Sequence, residues 1–215
     1  MLFRLMAALH GPVYAARQRE LVRLISPHLV SGDRVVDVGC GYGNLGKALM
    51  DHSSVVVTGL ERVKRPGASI PVEEYSGRTL PLADLSVDVA ILADVLHHDD
   101  DPKALLAECL RISRRLVVIK DHILSGPLAH ARVSLLDWAA NVPYGVKCTY
   151  SYNTPEQWRH WISELGVAVV EERTSLNLYP WAINLVFGGR LHYFAVLKKS
   201  STRKYGAPDG LERSA

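Results

Sequence analysis

Apolar residues in this chain gather in short runs separated by amphipathic stretches, and the spacing changes between the two. Runs at 34–39, 55–61, around 70–75, at 87–93 and at Leu116-Val117-Val118-Ile119 are rich in β-branched residues and too short for helices, so they predict strands. The unbroken run at 116–119 predicts a central strand covered on both faces. Over 14–26, Leu21, Val22, Leu24 and Ile25 oppose Arg17, Arg19, Glu20 and Arg23, which predicts an amphipathic helix ending before Pro27. A second helix is expected from about Asn44 to Met50. A third starts at Asp101-Pro102, with Asp101 as N-cap and Leu105, Leu106, Cys109, Leu110 and Ile112 as its buried stripe. Thr154-Pro155-Glu156-Gln157 is a capping box. Trp158, Trp161, Ile162 and Leu165 follow at helical spacing, a core stripe, and Gly166 stops the helix. Strands at 167–172 and Leu191–Leu197 complete the pattern, while Lys64-Arg65-Pro66-Gly67 rules out a long helix in the second crossover. Alternating strand and helix predicts an α/β fold with an open, doubly wound sheet. Ligands of such sheets sit beyond the carboxyl ends of the strands.

The chemistry concentrates where that rule puts it. Val36-Asp37-Val38-Gly39-Cys40-Gly41-Tyr42-Gly43-Asn44 is a strand, three alternate glycines and a helix start. Glycines there let the backbone turn sharply and approach a ligand closely. Glu61 closes the next strand, which suits a nucleoside whose ribose hydroxyls are held by a carboxylate. Two cofactor classes fit. Gly41-x-Gly43-x-x-Gly46 with Glu61 also satisfies a dinucleotide fingerprint. Against that, Asp37 would repel a pyrophosphate but suits the amino group of the methionine moiety of S-adenosylmethionine (SAM). A helical segment also precedes the first strand, whereas dinucleotide folds often open on theirs.

Those residues, with Gly59-Leu60-Glu61, Leu80-Pro81-Leu82, Val87-Asp88-Val89-Ala90 and Asp94-Val95-Leu96-His97-His98, resemble the class I SAM-dependent methyltransferases, nearest the methyltransferase type 11 pattern that includes quinone-biosynthesis C-methyltransferases. The resemblance spans roughly 34 to 120. It implies a Rossmann-like, mostly parallel seven-stranded sheet with an antiparallel last strand at or near an edge, and SAM as cofactor. It implies cofactor contacts at Asp37, Gly39, Cys40, Gly41, Gly43, Glu61, Ser76, Gly77 and Asp94. Ser76 departs from the pattern, which usually carries aspartate there, with Glu73 and Glu74 as possible substitutes. Ser113-Arg114-Arg115 replaces the usual Pro-Gly-Gly turn, so a tighter connection is expected.

Composition narrows the setting. With 215 residues and 48% hydrophobic content, one SAM-binding domain over 1–199 is expected, with 1–30 as an N-terminal helix or lid, 123–153 as an acceptor-side insertion and 200–215 as a disordered tail. A formal charge of +3 is too mild for a broad nucleic-acid face. Cys40, Cys109 and Cys148 form no disulfide framework, and the N-terminal apolar run is too short and interrupted for a leader, which points to the cytoplasm. No stable membrane insertion is expected.

For catalysis, Asp121 and His122 at the end of the fifth strand are the preferred pair to take a proton from an acceptor, although neighbours on an extended chain point to opposite sides. The resemblance places His98 at the cleft rim, facing substrate; a histidine merely hydrogen-bonded in a loop is the competing reading. His97-His98-Asp99-Asp100-Asp101 is read as no metal site, because loop neighbours point apart and no second ligand group stands at recognisable spacing. Trp138, Tyr144, Tyr150 and Tyr152, with Tyr179-Pro180-Trp181, suit a lid or pocket for a flat or lipophilic acceptor. The expected function is methyl transfer to a small aromatic or lipophilic molecule. The alternatives are a non-catalytic SAM-fold partner protein and an RNA or protein methyltransferase.

Overall fold

The computed structural model describes residues 2–76, 78–141 and 148–199, with side chains from residue 11 onward. Gly77, the 142–147 stretch with Tyr144, and the expected tail at 200–215 lie outside the described residues.

Helix α1 (Leu2–Ile25) leads through a 3-10 turn, Ser26–His28, into β1 (Arg34–Val38), α2 (Asn44–Ser53), β2 (Val56–Glu61), β3 (Val72–Glu74) and β4 (Val87–Ala93). A 3-10 turn at Leu96–His98 precedes α3 (Pro102–Ile112), β5 (Ser113–His122), α4 (Ala129–Asn141), α5 (Pro155–Leu165), β6 (Val167–Arg173), α6 (Trp181–Phe187) and β7 (His192–Lys199). The seven strands form one sheet in the order β3-β2-β1-β4-β5-β7-β6. β1 to β5 are parallel, and β7 runs antiparallel to both β5 and β6. β7 therefore lies one strand inside the edge, with β6 outside it.

Each strand of the centre feeds two cores, because side chains alternate across the pleat. Val36, Val38, Ala90, Leu92, Val117 and Ile119 pack against α3 and α5, in a cluster that includes Leu106 and Trp158. Val35, Val57, Val89, Ile91 and Val118 pack on the other face with Leu21 and Ile25 of α1 and Leu49 of α2. The indole of Trp158 stacks on Tyr193 with centroids 4.5 Å apart, and its N–H donates to the carbonyl of His122 at 3.1 Å. That helical stripe is core, as its spacing predicts.

The start signals act as read. Asp101 accepts from the Ala104 amide at 3.1 Å. Thr154 and Gln157 exchange the two bonds of a capping box, and Gly166 ends α5 at φ +61°. Two elements exceed their sequence limits. α1 begins well before residue 14 and runs through Gly11 and Pro12, since Leu2, Met6, Ala7, Ala8 and Leu9 are good helix formers that extend an established helix. β5 spans Ser113–His122, although its apolar centre is shorter. α3 passes into it with no intervening residue, the Ser113 hydroxyl donating to the Cys109 carbonyl at 2.6 Å, and β7 pairs with its polar end, Lys120 to His122.

The sheet reverses direction of growth between β1 and β4. β2 and β3 extend it one way, β5, β7 and β6 the other. A crevice opens at the carboxyl ends of strands flanking such a switch. The glycine turn after β1 and the Asp94–His98 segment after β4 both border it.

Candidate active site

The glycine turn is held in one shape by its own chain. Gly39, Gly41 and Gly43 have φ of +70°, +58° and +72°, a region that strains any residue with a Cβ. A Cβ on Gly39 would stand 2.5 Å from a Val95 methyl, and one on Gly43 2.4 Å from Ile70 Cγ1. A Cβ on Gly41 would meet nothing within 4 Å, so that residue borders open space. Glu61, half-buried at the end of β2, accepts the Gly41 amide at 2.7 Å and the Arg62 amide at 3.0 Å, closing the loop onto the second strand. Cys40 sits beside it, its thiol pushed up to about 12 by burial and by the carboxylates of Asp37 and Glu61, and therefore neutral.

Asp37 is only 2% exposed, and its Oδ2 has no hydrogen-bond partner among the described residues. Burial, reinforced by the charge of Glu61 and opposed by that of Arg17, raises its carboxyl to about 7. A buried carboxylate without a donor costs roughly 1–3 kcal/mol or more, unless a cation or donor arrives from outside. The site thus has a vacant polar demand at the foot of the glycine turn. Ser76 follows β3 and is exposed; the Tyr75 amide ties that segment to the Glu61 carbonyl at 3.0 Å.

Asp94, at φ +59°, is gripped by two cations, Arg17 from α1 and Lys120 from β5, and Lys120 has no exposed surface. Burial pushes its carboxyl up, but the charges of Lys120 and Arg17 prevail and hold it well below the ordinary range. Its carboxylate is committed to a latch between the N-terminal helix and the sheet.

The polar residues on the β5 side converge on one ring. The turn at Leu96–His98 does not splay its histidines: the His97 and His98 rings lie 4.0 Å apart. Asp121 accepts from the Leu96 amide at 3.0 Å and lies 2.6 Å from His97 Nδ1. Burial favours the neutral form of His97, but the adjoining Asp121 charge outweighs it and raises the ring to about 10. His98 shifts the opposite way, through burial and the neighbouring His97. Its side chain keeps 19% exposure, and its Nε2 is 3.6 Å from Asp137 Oδ1. His122 is buried, with its ring 5.0 Å from that of His97; burial and the charge of Lys120 hold it well below its usual value, so it is neutral. Asp121 and His122 thus both lie against His97, and neither is exposed.

Two members of this group carried no sequence signal. Asp137 sits on α4 with 1% exposure, accepting from Tyr152 Oη at 2.7 Å and from Asn141 Nδ2 at 2.7 Å. His192 opens β7, its ring 5.5 Å from that of His122, and burial with Lys120 nearby lowers it to about 3. A lone aspartate within a helical stretch and a histidine at a strand start look like surface residues in a linear reading; only the packing of α4 and β7 brings them in. Leu128, Leu135 and Trp138 of the 123–153 region and Trp181 and Leu185 of α6 are exposed, Trp181 at 78%. Arg132 of α4 donates to the Val186 carbonyl of α6 at 2.7 Å, joining the two helices.

A family model described as a methyltransferase domain matches residues 13–172. Two curated relatives match in part. An uncharacterized 37.1 kDa protein of a Streptomyces fradiae transposon is 34% identical over 112 residues, 46% of this chain and 32% of the relative. An uncharacterized methyltransferase of Mycobacterium ulcerans is 26% identical over 155 residues, 66% of this chain and 60% of the relative. The chain therefore spans less than two thirds of the length of either. Among solved structures, a chain of the Haloferax volcanii complex between the Trm112 methyltransferase activator and a methyltransferase superposes with a TM-score of 0.66 at 16% identity, covering 94% of this chain and 96% of that one. A SAM-dependent methyltransferase from Archaeoglobus fulgidus gives 0.63 at 17% identity, covering 85% and 92%.

Proposed function

Because the chain belongs to the methyltransferase-domain family, we propose that it moves the methyl group of SAM onto a small aromatic or lipophilic acceptor. One observation carries the cofactor half of this reading: the buried Asp37 carboxyl with a free Oδ2 at the foot of a glycine turn that leaves space at Gly41. That demand fits the cationic ammonium of a methionine moiety and not a pyrophosphate. Glu61, fixed by the Gly41 amide, retains lone pairs for ribose hydroxyls. Cys40, Gly39 and Gly43 shape the turn, and Ser76, exposed after β3, is assigned to the adenine side. Asp94 serves indirectly here, since Arg17 and Lys120 occupy its carboxylate and hold α1 over the crevice.

SAM brings its methyl on a sulfonium, so the activation for an in-line displacement arrives with it. The chain has to align the acceptor and exclude water. The acceptor is assigned to the β5 side, where His98 is the partly exposed member of the polar group and α4 and α6 offer an apolar rim. Asp121 and His122, enclosed against His97, act as positioning residues for that wall.

Calorimetry with SAM and S-adenosylhomocysteine tests the reading. Micromolar or tighter binding that Asp37→Ala abolishes is the expected result. No heat with either compound, or binding of a nicotinamide dinucleotide at the same turn, refutes it.

A further inference from the structure

We propose that His97, His98 and Asp137 form a binding site for one divalent first-row transition-metal ion, with Asp121 and Tyr152 as the residues that orient the ligands. One donor atom from each of the three lies within 4.8 Å of the others. His97 Nε2 and His98 Nε2 both stand 3.6 Å from Asp137 Oδ1. That separation is too long for a hydrogen bond. It matches two ligands of a shared ion: donors about 2.0–2.1 Å from a tetrahedral centre stand roughly 3.4 Å apart.

One unmet valence agrees. His97 Nε2, the nitrogen facing Asp137, is buried and has no hydrogen-bond partner among the described residues. The other nitrogen of His97 is 2.6 Å from the Asp121 carboxylate. A carboxylate behind one ring nitrogen fixes the tautomer and presents the opposite lone pair, an arrangement typical of metal-bound histidine. Tyr152 Oη holds Asp137 Oδ2, while Oδ1 accepts from Asn141 Nδ2 at 2.7 Å and offers its second lone pair on the side of the two imidazoles. Two imidazoles and one carboxylate suit zinc, iron(II) or cobalt(II) rather than magnesium or calcium, which prefer oxygen ligands. Of the three ligands, His98 is the one with an exposed edge, so further ligands would enter from its side. Given the methyl-transfer reading above, an acceptor oxygen would be one of them. A competing description of the same residues is a purely protein-bound ion-pair network in which a proton on His97 takes the place of the metal.

The test is equilibrium dialysis of chelator-stripped, tag-free full chain against zinc, with metal counted by elemental analysis, and a parallel cobalt(II) titration followed by visible absorption. One zinc per chain and the intense d–d bands of a low-symmetry cobalt site are expected. Asp137→Asn and His98→Ala should each weaken binding at least tenfold, and Asp121→Asn about ten- to a hundredfold. His160→Ala, on the exposed side of α5, should bind as the unaltered protein does. Circular dichroism on the same samples reports the fold, and His98, being partly exposed, is the substitution least prone to disturb it. A stripped protein that takes up less than about a tenth of an equivalent of zinc, or folded His98→Ala that binds undiminished, overturns the site. Because zinc is measured without SAM, a protein that binds zinc and no SAM supports the ion site while refuting the methyl-transfer reading.

Discussion

Replacing Asp37 with asparagine separates its cost to the fold from its use to a ligand. Burial and the charge of Glu61 push its carboxyl up from an ordinary 3.8 to about 7 in the folded chain. The groups facing it are Glu61 from β2, Arg17 from α1 and Cys40 from the turn. A folded value above the unfolded one means the folded state holds the proton more tightly. The contribution is fully present below about 3.8 and is lost as pH rises to about 7. At about 1.4 kcal/mol per unit, the two values imply that Asp37 costs the folded state roughly 2–3 kcal/mol more at pH 8 than at pH 5. Asparagine does not titrate, so the variant should gain on the natural chain by that amount over the same interval, whatever constant offset the orphaned amide adds. Urea denaturation of both proteins at the two pH values measures it. SAM should reverse the order: its ammonium favours the ionised carboxyl, so affinity of the natural chain should rise up to about tenfold per unit toward pH 7 and then level, while Asp37→Asn stays weak and flat. A stability difference between the two proteins that does not change with pH would sink the assignment of a buried, ligand-seeking carboxyl.

Further outcomes follow from the same geometry. Gly43→Ala forces a Cβ to 2.4 Å from Ile70 and should cost several kcal/mol, about 3 or more, by thermal melting. Gly41→Ala meets no neighbour, so its fold cost should be about 1 kcal/mol while SAM binding falls far more, because its methyl enters the ligand space. Arg17→Ala should speed amide exchange along α1 and leave β1 protected, at a cost below the roughly 3–5 kcal/mol of a stranded charge, since Lys120 still faces Asp94. Asp37→Ala should weaken SAM binding more than His122→Ala; the opposite order in calorimetry would mean the two ends of the site are exchanged.

What the sequence made legible was local. The glycine turn, Glu61, the Asp101 and Thr154 caps and the strand cores follow from residues within a few positions of each other, and all lie where that reading put them. The proposed cofactor end reads locally for the same reason, since one turn and one neighbouring strand build it. The other end is assembled from β4, β5, α4 and β7, and its distances follow no linear spacing. Loop neighbours such as His97 and His98 are expected to diverge, but a 3-10 turn brings their rings to 4.0 Å, tilted by 44°. Asp137 and His192 gave no signal, because a single polar residue acquires meaning only from what it is folded against. The two cations on Asp94 are equally hidden from a linear reading, since one comes from α1 and the other from the buried end of β5.

The placement of β7 between β5 and β6 has a consequence for the order of folding. Before β7 has formed, β1 to β5 can already associate, and the glycine turn with its neighbouring strand β2 can be complete. The outer flank of β5 then lacks its neighbour, and the carbonyls and amides of Lys120 to His122 are left to water. The histidine-rich wall therefore gains its final shape only once β7 has docked against β5.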